Sequence, residues 1–430
     1  MITEKTRIGL QWNIKHAEMM VVAVLVFAFM TQINMLILIA FCVACALVMF
    51  SNVEDSINYV VFFTSFSGIF VYHEKHMYFV LVSLFILKFL ANKRIPQKTF
   101  AFYIIIAAYS LMFSNIDNGI TFTNLMGILL LFAIPVIAAQ ANIIDCRKMM
   151  QHYIFGFVLA TIIGFFVKKI PSMAALFEYD LMWTEDYIEL TRFCGLAFDS
   201  NFYALSNYII IAYLLLAFDK LGKFRTVVVL FLIIAGLQTI SKSYFLVLGI
   251  VLCCYLLKNV SNIKQLVIAL IALGITGTVF IFVSNKIGYN VIQLVTDRFV
   301  KGGSIADNTT GRTDIWGTYF AMFRTASIKE FMFGFGINAT VARAAHNTFI
   351  EYMFYYGFVG CFMWIAYFVY CGKLFCANTR AFQHKSTMVM ICLMLGIFFL
   401  SAYTYEAFWL GLVVSFLTIG RSKKENMQYV

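Results

Sequence analysis

The stretch HNTFIEYMFYYGFVGCFMWIAYFVY, His346–Tyr370, begins polar and then runs apolar with no charge after Glu351. The run 347–370 is long enough to cross the ~30 Å hydrocarbon layer of a bilayer as a helix. A long polar segment, 285–346, lies ahead of it, so an outer loop meets a membrane helix at this point. The same alternation recurs along the chain. Further apolar runs occupy 18–32, 35–50, 57–72, 77–91, 99–114, 119–140, 153–167, 202–218, 225–240, 244–257, 265–284, 387–401 and 406–420, the first two parted only by Thr31-Gln32-Ile33-Asn34. Over 430 residues the chain is 62% hydrophobic and 12% charged, with a mean hydropathy of +0.86. A soluble chain needs about twice that share of charge to cover its surface. The expectation is an all-α polytopic membrane protein with about 12–14 transmembrane helices. It forms a single membrane domain over 1–430 with two ordered outer loops, 168–201 and 285–346.

Charge supports this topology. With both chain ends inside, 20 of the 32 Lys+Arg fall in inner segments, among them Lys93, Arg94, Arg147, Lys148, Lys223, Arg225 and Arg380. Of the other 12, ten belong to the two long loops and only Lys75 and Lys242 to short outer turns. The positive-inside rule weighs short loops, so the net +11 reports topology and not a nucleic-acid partner. The polar N-terminus has no small-residue cleavage site, and the first helix is expected to act as an uncleaved anchor. Of ten Cys only Cys194 lies in an outer loop, so no disulfide between outer loops is expected. Cys42-x-x-Cys45, inside an apolar run, reads as small core residues.

The loop 168–201 is net −3 and the loop 285–346 net +3, so they either pack on each other or stand solvated. Trp183, Trp316 and the spacing of Ile315, Tyr319 and Met322 argue for order. Four local patterns stand out. Arg192-x-x-Gly195 precedes Asp199-Ser200-Asn201, where Asp199 or Ser200 suits an N-cap. Arg192 itself either pairs with a loop carboxylate or offers its planar fork to a phosphate. Gly311-Arg312-Thr313-Asp314-Ile315-Trp316 reads as a helix start, with Arg312 turned to a phosphate or to Asp314. Gly334-Phe335-Gly336 reads as a turn, because it lacks the third glycine and strand of a nucleotide loop. Thr348-x-x-Glu351 fits a capping box, which favours a structural Glu351 over a catalytic one and sets a helix N-terminus beside His346 and Arg343. Such an end favours an anion. His346 is either a solvated surface residue or a group that takes a proton from a hydroxyl near neutral pH. Phe349, Tyr352, Tyr355 and Tyr356 form an aromatic face that suits lipid, core or sugar.

Taken in order, these pieces resemble the bacterial O-antigen ligase and polysaccharide polymerase superfamily. The resemblance rests on His346-Asn347 with Gly357-x-x-Gly360, on Gly311-Arg312 with Trp316, on Gly334-x-Gly336, and on Arg192-x-x-Gly195 with Asn201. It covers 192–360, and the rest of the chain matches only as hydrophobic helices. It implies a multi-pass, GT-C-like enzyme of the bacterial inner membrane whose site faces the periplasm. Such an enzyme transfers glycan from undecaprenyl diphosphate to an acceptor glycan, with no metal or other cofactor. The resemblance makes Arg192, Arg312, Arg343 and Lys242 the diphosphate ligands and His346 the base on the acceptor hydroxyl. Asn347, Gly357, Gly360, Trp316 and Glu351 become motif or structural residues. Ser241-Lys242-Ser243 departs from the Ser-Arg of many relatives, and a lysine there loses the bidentate fork. Implied partners are the lipid-linked donor, the glycan acceptor, the bilayer, and chain-length regulator and flippase proteins. The outer loops hold no DxD-like carboxylate pair, in keeping with a leaving group that departs readily.

Polymerase activity on a lipid-linked repeat unit is the first reading, because the loop motif recurs in capsular and exopolysaccharide systems that have no lipid A acceptor. Ligase activity onto lipid A core is the second. A polysaccharide-lipid transporter is the third; it would place charges in mid-membrane and show internal repeats. Reporter fusions at Asn308 and Glu185 are expected outside, and those at Lys223 and Arg380 inside. An inside position for Asn308 would overturn the outer-loop reading.

Overall fold

A polar cap begins a helix ahead of several apolar runs. Asp145, for example, accepts from the N–H groups of Arg147 (2.9 Å) and Lys148 (3.1 Å) and starts the helix Cys146–Lys168. The computed structural model describes residues 4–73, 75–92, 97–112, 119–140, 144–170, 181–182, 190–197, 199–217, 223–259, 274, 278, 281–282, 311–336, 339, 341, 343–378 and 387–419. Within them run α1 (Glu4–Thr31), α2 (Asn34–Phe50), α3 (Val53–Phe63), a 3-10 turn (Thr64–Ile69), the hairpin β1 (Val71–Tyr72) and β2 (Lys75–His76), and α4 (Tyr78–Asn92). Then come α5 (Gln97–Met112), α6 (Gly119–Gln140), α7 (Cys146–Lys168), the hairpin β3 (Leu181–Met182) and β4 (Leu190–Thr191), α8 (Ser200–Leu216), α9 (Lys223–Leu237) and α10 (Lys242–Asn259). The chain closes with α11 (Arg312–Thr325), α12 (Ile328–Phe333), α13 (Thr348–Asn378), α14 (Met388–Phe398) and α15 (Glu406–Ile419). The chain is all-α in class, with two antiparallel hairpins of two residues per strand.

Helices α8 and α15 form the centre. Both are apolar on every face and buried along nearly their whole length, as expected of helices enclosed by others. Helix α8 packs on α9, α10, α14 and α15, and α15 continues onto α6 and α13. Asn207, fully buried on α8, donates to the Leu232 carbonyl of α9 (3.0 Å) and accepts from the Tyr244 hydroxyl of α10 (3.2 Å). Its amide is thus satisfied within the apolar interior. On α13 the opposite occurs. Phe358, Phe362, Ile365 and Val369 form an exposed apolar stripe, while Trp364, Tyr367, Cys371 and Phe375 face the core. Cys146–Lys168 and Thr348–Ala377 are long and apolar enough to cross a membrane.

The split at 31–34 is present. The run 57–72 is not one helix, however: α3 stops at Phe63 and a 3-10 turn and hairpin follow. Thr64, Ser65, Ser67 and Gly68 are weak helix formers, and Thr64 bonds back to the Val60 carbonyl (2.9 Å). Most of 265–284, the middle of the segments 168–201 and 285–346, and Trp183 lie outside the described residues. All ten cysteines, Cys42, Cys45 and Cys194 among them, are free.

Helix α13 is broken at Gly357 (φ 65°, ψ −172°). A Cβ there would sit 2.3 Å from the Gly334 nitrogen and 2.6 Å from the Met332 carbonyl oxygen. Gly334 (φ 85°) meets the same crossing from the other side. The Tyr109 hydroxyl of α5 donates to the Tyr356 carbonyl (2.7 Å) at the break, and a Cβ on Gly360 would lie 2.8 Å from the Tyr109 ring. Gly357→Ala therefore forces a left-handed alanine against backbone, at about 1–3 kcal/mol for the dihedral alone. The expected outcome is a lowered melting temperature of the detergent-purified chain, whereas an unchanged value would mean that the crossing relaxes.

Candidate functional site

The first loop returns through β4 to Arg192, which is 9% exposed. Its Nε donates to the Thr239 carbonyl (2.8 Å) and its Nη2 to Asn201 Oδ1 (3.1 Å). The Phe193 N–H donates to the Gln238 carbonyl (2.9 Å), and the Phe193 ring stacks on Phe165 at 4.3 Å. These contacts lock the plane of the Arg192 fork. Asp199 caps α8 by accepting from the Asn201 N–H (2.6 Å), as the sequence suggests. The Ser241 hydroxyl, at the start of α10, donates to Asn201 Oδ1 (2.9 Å) and pairs with Ser243 (2.9 Å). Half-buried Lys242 is the first residue of α10 and so lies one position from this network.

The second loop brings Arg312 as the first residue of α11, after a left-handed Gly311 (φ 72°). Arg312 faces Arg192 and Asp199. Burial, then the like charge of Arg192, lowers the guanidinium pKa, and Asp199 opposes that shift. Sequence reasoning offers Asp314 as the partner of Arg312, but among the described residues no contact joins the two side chains. The segments that carry Arg192, Asp199 and Arg312 therefore lie near enough for their charges to interact.

Helix α11 and the first turns of α13 share a small core of their own: Tyr319, Ala345 and Phe354, fully buried, with Phe335 stacked on Phe354 at 4.7 Å. This core fixes the strand of chain that carries His346. Trp316 Nε1 donates to the Ala345 carbonyl (2.8 Å), and the Tyr319 hydroxyl donates to the Arg343 carbonyl (3.2 Å). Trp316 is thereby a structural anchor. The Ala345 N–H donates to Glu351 Oε1 (3.0 Å), which also accepts from the Ser401 hydroxyl. On the other flank Asn347, 1% exposed, accepts from the N–H groups of Phe349 (3.0 Å) and Ile350 (3.1 Å). Asn347, not Thr348, caps α13. The capping box expected between Thr348 and Glu351 is absent because the Thr348 hydroxyl donates to the Leu400 carbonyl (2.6 Å) and accepts from the Ala402 N–H (3.0 Å). Glu351 instead reaches back past the helix start to Ala345.

Between these two ties His346 adopts φ +49°, a left-handed conformation uncommon outside glycine, and its side chain stays exposed. The imidazolium is disfavoured, first by crowding of the ring against neighbouring protein atoms and then by Arg312, with Asp199 opposing, so the pKa falls below the usual 6.5. His346 is thus largely neutral at pH 7 and able to accept a proton. Arg343 lies three residues upstream and is exposed; among the described residues no contact joins its side chain to Arg192 or Arg312. Four helix starts gather here: α8 at Asp199, α10 at Lys242, α11 at Arg312 and α13 at Asn347. Their positive ends add to the arginines and suit an anion. Among the described residues no three of His, Cys, Asp and Glu converge to hold a metal ion.

Asp199, read in the sequence as a cap, has a second place beside Arg312 and His346 that the sequence does not signal. Ser401 and Tyr109 carry no local motif at all. Comparison with protein-family models, with curated proteins and with solved structures finds no match for this chain.

Two substitutions test this electrostatic arrangement through the His346 ring resonances, identified by their loss in His346→Gln. His346 is expected to titrate below 6.5, further down in Asp199→Asn and back towards 6.5 in Arg312→Met. The folded chain holds this proton more weakly than the unfolded chain, so acidification through the folded pKa removes stability that is intact above the unfolded value. Titration above 6.5 would contradict the arrangement.

Proposed function

We propose that this chain is a multi-pass membrane glycosyltransferase that moves glycan from a polyprenyl diphosphate to an acceptor hydroxyl at the outer face of a bacterial inner membrane. The observation that carries the reading is the convergence of Arg192, Arg312 and His346, from three separated segments, on a cluster of helix starts. The exposed apolar stripe on α13 and the helices long enough to span a bilayer support the membrane setting. The remaining apolar helices would complete a GT-C-like bundle of about 12–14 spans, with 168–201 and 285–346 as periplasmic loops.

The chemistry needs three things. The bond from the anomeric carbon to the diphosphate oxygen breaks, and negative charge grows on the departing diphosphate. Arg192 and Arg312, whose mutual repulsion an anion relieves, would stabilise that charge without reorganising. Lys242 and Arg343 add cationic charge nearby as point charge and mobile fork. The acceptor oxygen bonds to the anomeric carbon and gives its proton to neutral His346. Glu351 and Trp316 hold the loop that carries this base, and Asn347, Gly357 and Gly360 shape the helix beneath it.

Extension of a lipid-linked repeat unit is the acceptor chemistry we favour, with transfer to lipid A core as the alternative outcome of the same test. Arg192→Lys and Arg312→Lys keep the charge but lose the fork, and each is expected to slow transfer by about 10²–10³, or ~3–4 kcal/mol, at normal expression. A deletion strain is expected to show single repeat units on the final carrier. Long chains stranded on polyprenyl diphosphate would mark a ligase, and normal glycan from both lysine variants would refute the diphosphate site.

A further inference from the structure

A cavity of about 60 Å³ lies where the 3-10 turn, α7, α8 and the start of α15 meet. Ser65, Ser67, Thr161, Ser206, Tyr405 and Glu406 supply most of its polar lining. The Glu406 carboxylate accepts from the Ser67 hydroxyl. Ser65 Oγ is out of bulk solvent with no partner among the described residues, a condition that calls for a water or a ligand. At ~10–15 Å³ of such space per water, the cavity holds roughly four to six waters, the bulk of about one pyranose ring. Phe202 and Tyr405 stack at 3.7 Å, and Tyr405, 43% exposed, marks the side open to solvent.

The cavity and the arginine site are joined through adjacent residues of the chain. Phe202 directly follows Asn201, the acceptor of Arg192, and Tyr405 stands on the same α14–α15 turn as Ser401, the partner of Glu351. We propose that this cavity binds one sugar unit of the glycan, with Glu406 and the surrounding hydroxyls as its polar contacts and Tyr405 at its mouth. A pyranose presents neighbouring hydroxyls that both donate and accept. A carboxylate accepts from two of them, serine and threonine hydroxyls match the rest, and the apolar face of the ring lies on an aromatic one. An isoprenoid chain fits poorly, because it would leave the buried Ser65 hydroxyl without a partner. A phosphate finds no cationic side chain in the lining. The role of the bound sugar in transfer rests on the function proposed above; its binding does not.

The test therefore reads binding without turnover. Saturation-transfer NMR is recorded on the full chain in detergent, with millimolar methyl glycosides of glucose, galactose, rhamnose and N-acetylglucosamine as probes. Ring protons of at least one glycoside are expected to receive saturation from the wild-type chain and from Arg192→Lys. The signal is expected to be lost in Glu406→Gln, which keeps the side-chain shape, and in Ala160→Leu, which fills the cavity from α7. Absence of saturation in the wild type, or equal saturation in both cavity variants, would mean that the cavity holds water only. If the arginine variants transfer glycan normally while the glycoside signal behaves as expected, the transferase reading fails and the sugar site stands. The reverse pattern removes only the sugar site.

Discussion

Two guanidiniums brought together near the surface of an apolar bundle set the terms for everything around them. Arg192 is almost out of water, and its Nε and Nη2 are held by a backbone carbonyl and an amide. Those acceptors orient the fork. Arg312 adds a second positive charge and Asp199 a negative one, so with a neutral His346 this group remains net positive. The helix starts at Asp199, Lys242, Arg312 and Asn347 push the local potential the same way. Such a group favours an anion beside it.

His346 illustrates how the surrounding structure sustains a strained residue. A left-handed histidine has a free-energy cost of about 1–3 kcal/mol and persists only where its neighbours leave the backbone no alternative. Here the preceding residue is tied at both its N–H and its carbonyl, to Glu351 and Trp316, and the following residue caps a helix. Glu351 and Thr348 both reach the 400–402 turn, so α13 and that turn act as one clamp. The result is an exposed imidazole flanked by buried backbone. A glutamine at position 351 retains an oxygen able to accept from Ala345, so the carboxylate's contribution is chiefly positional.

Much of this was legible in the sequence, for reasons specific to each element. The apolar runs mark helices because a helix surrounded by apolar neighbours has no polar face to interrupt the pattern, as in α8 and α15. Asp199 reads correctly as a cap because capping is local. The cap of α13 does not: both Asn347 and Thr348 suit the role, and the choice is made by Leu400 and Ala402, some fifty residues away. The run 57–72 misleads because hydrophobicity is period-blind, while the Ser, Thr and Gly at 64–68 decide the backbone. Gly334 and Gly357 register as motif glycines, but only the fold reveals that each is required by the other. The opposite net charges of the two loops point to a meeting between them, although the charges that come near one another are two like ones around Asp199.

The two cores explain why the site can be both rigid and open. The main core, centred on α8 and α15, fixes Arg192, Asp199 and Lys242 through helix starts and the Thr239 turn. The small core of Tyr319, Ala345 and Phe354 fixes Arg312 and His346 from the other side. The Gly334–Gly357 crossing and the 400–402 turn join one core to the other, and neither joint passes through the charged group itself. Apolar packing thus sets most of each half, and Arg192 ties its own half further through the Thr239 carbonyl and Asn201. An anion bound between Arg192 and Arg312 would relieve repulsion in a site whose geometry is largely set elsewhere.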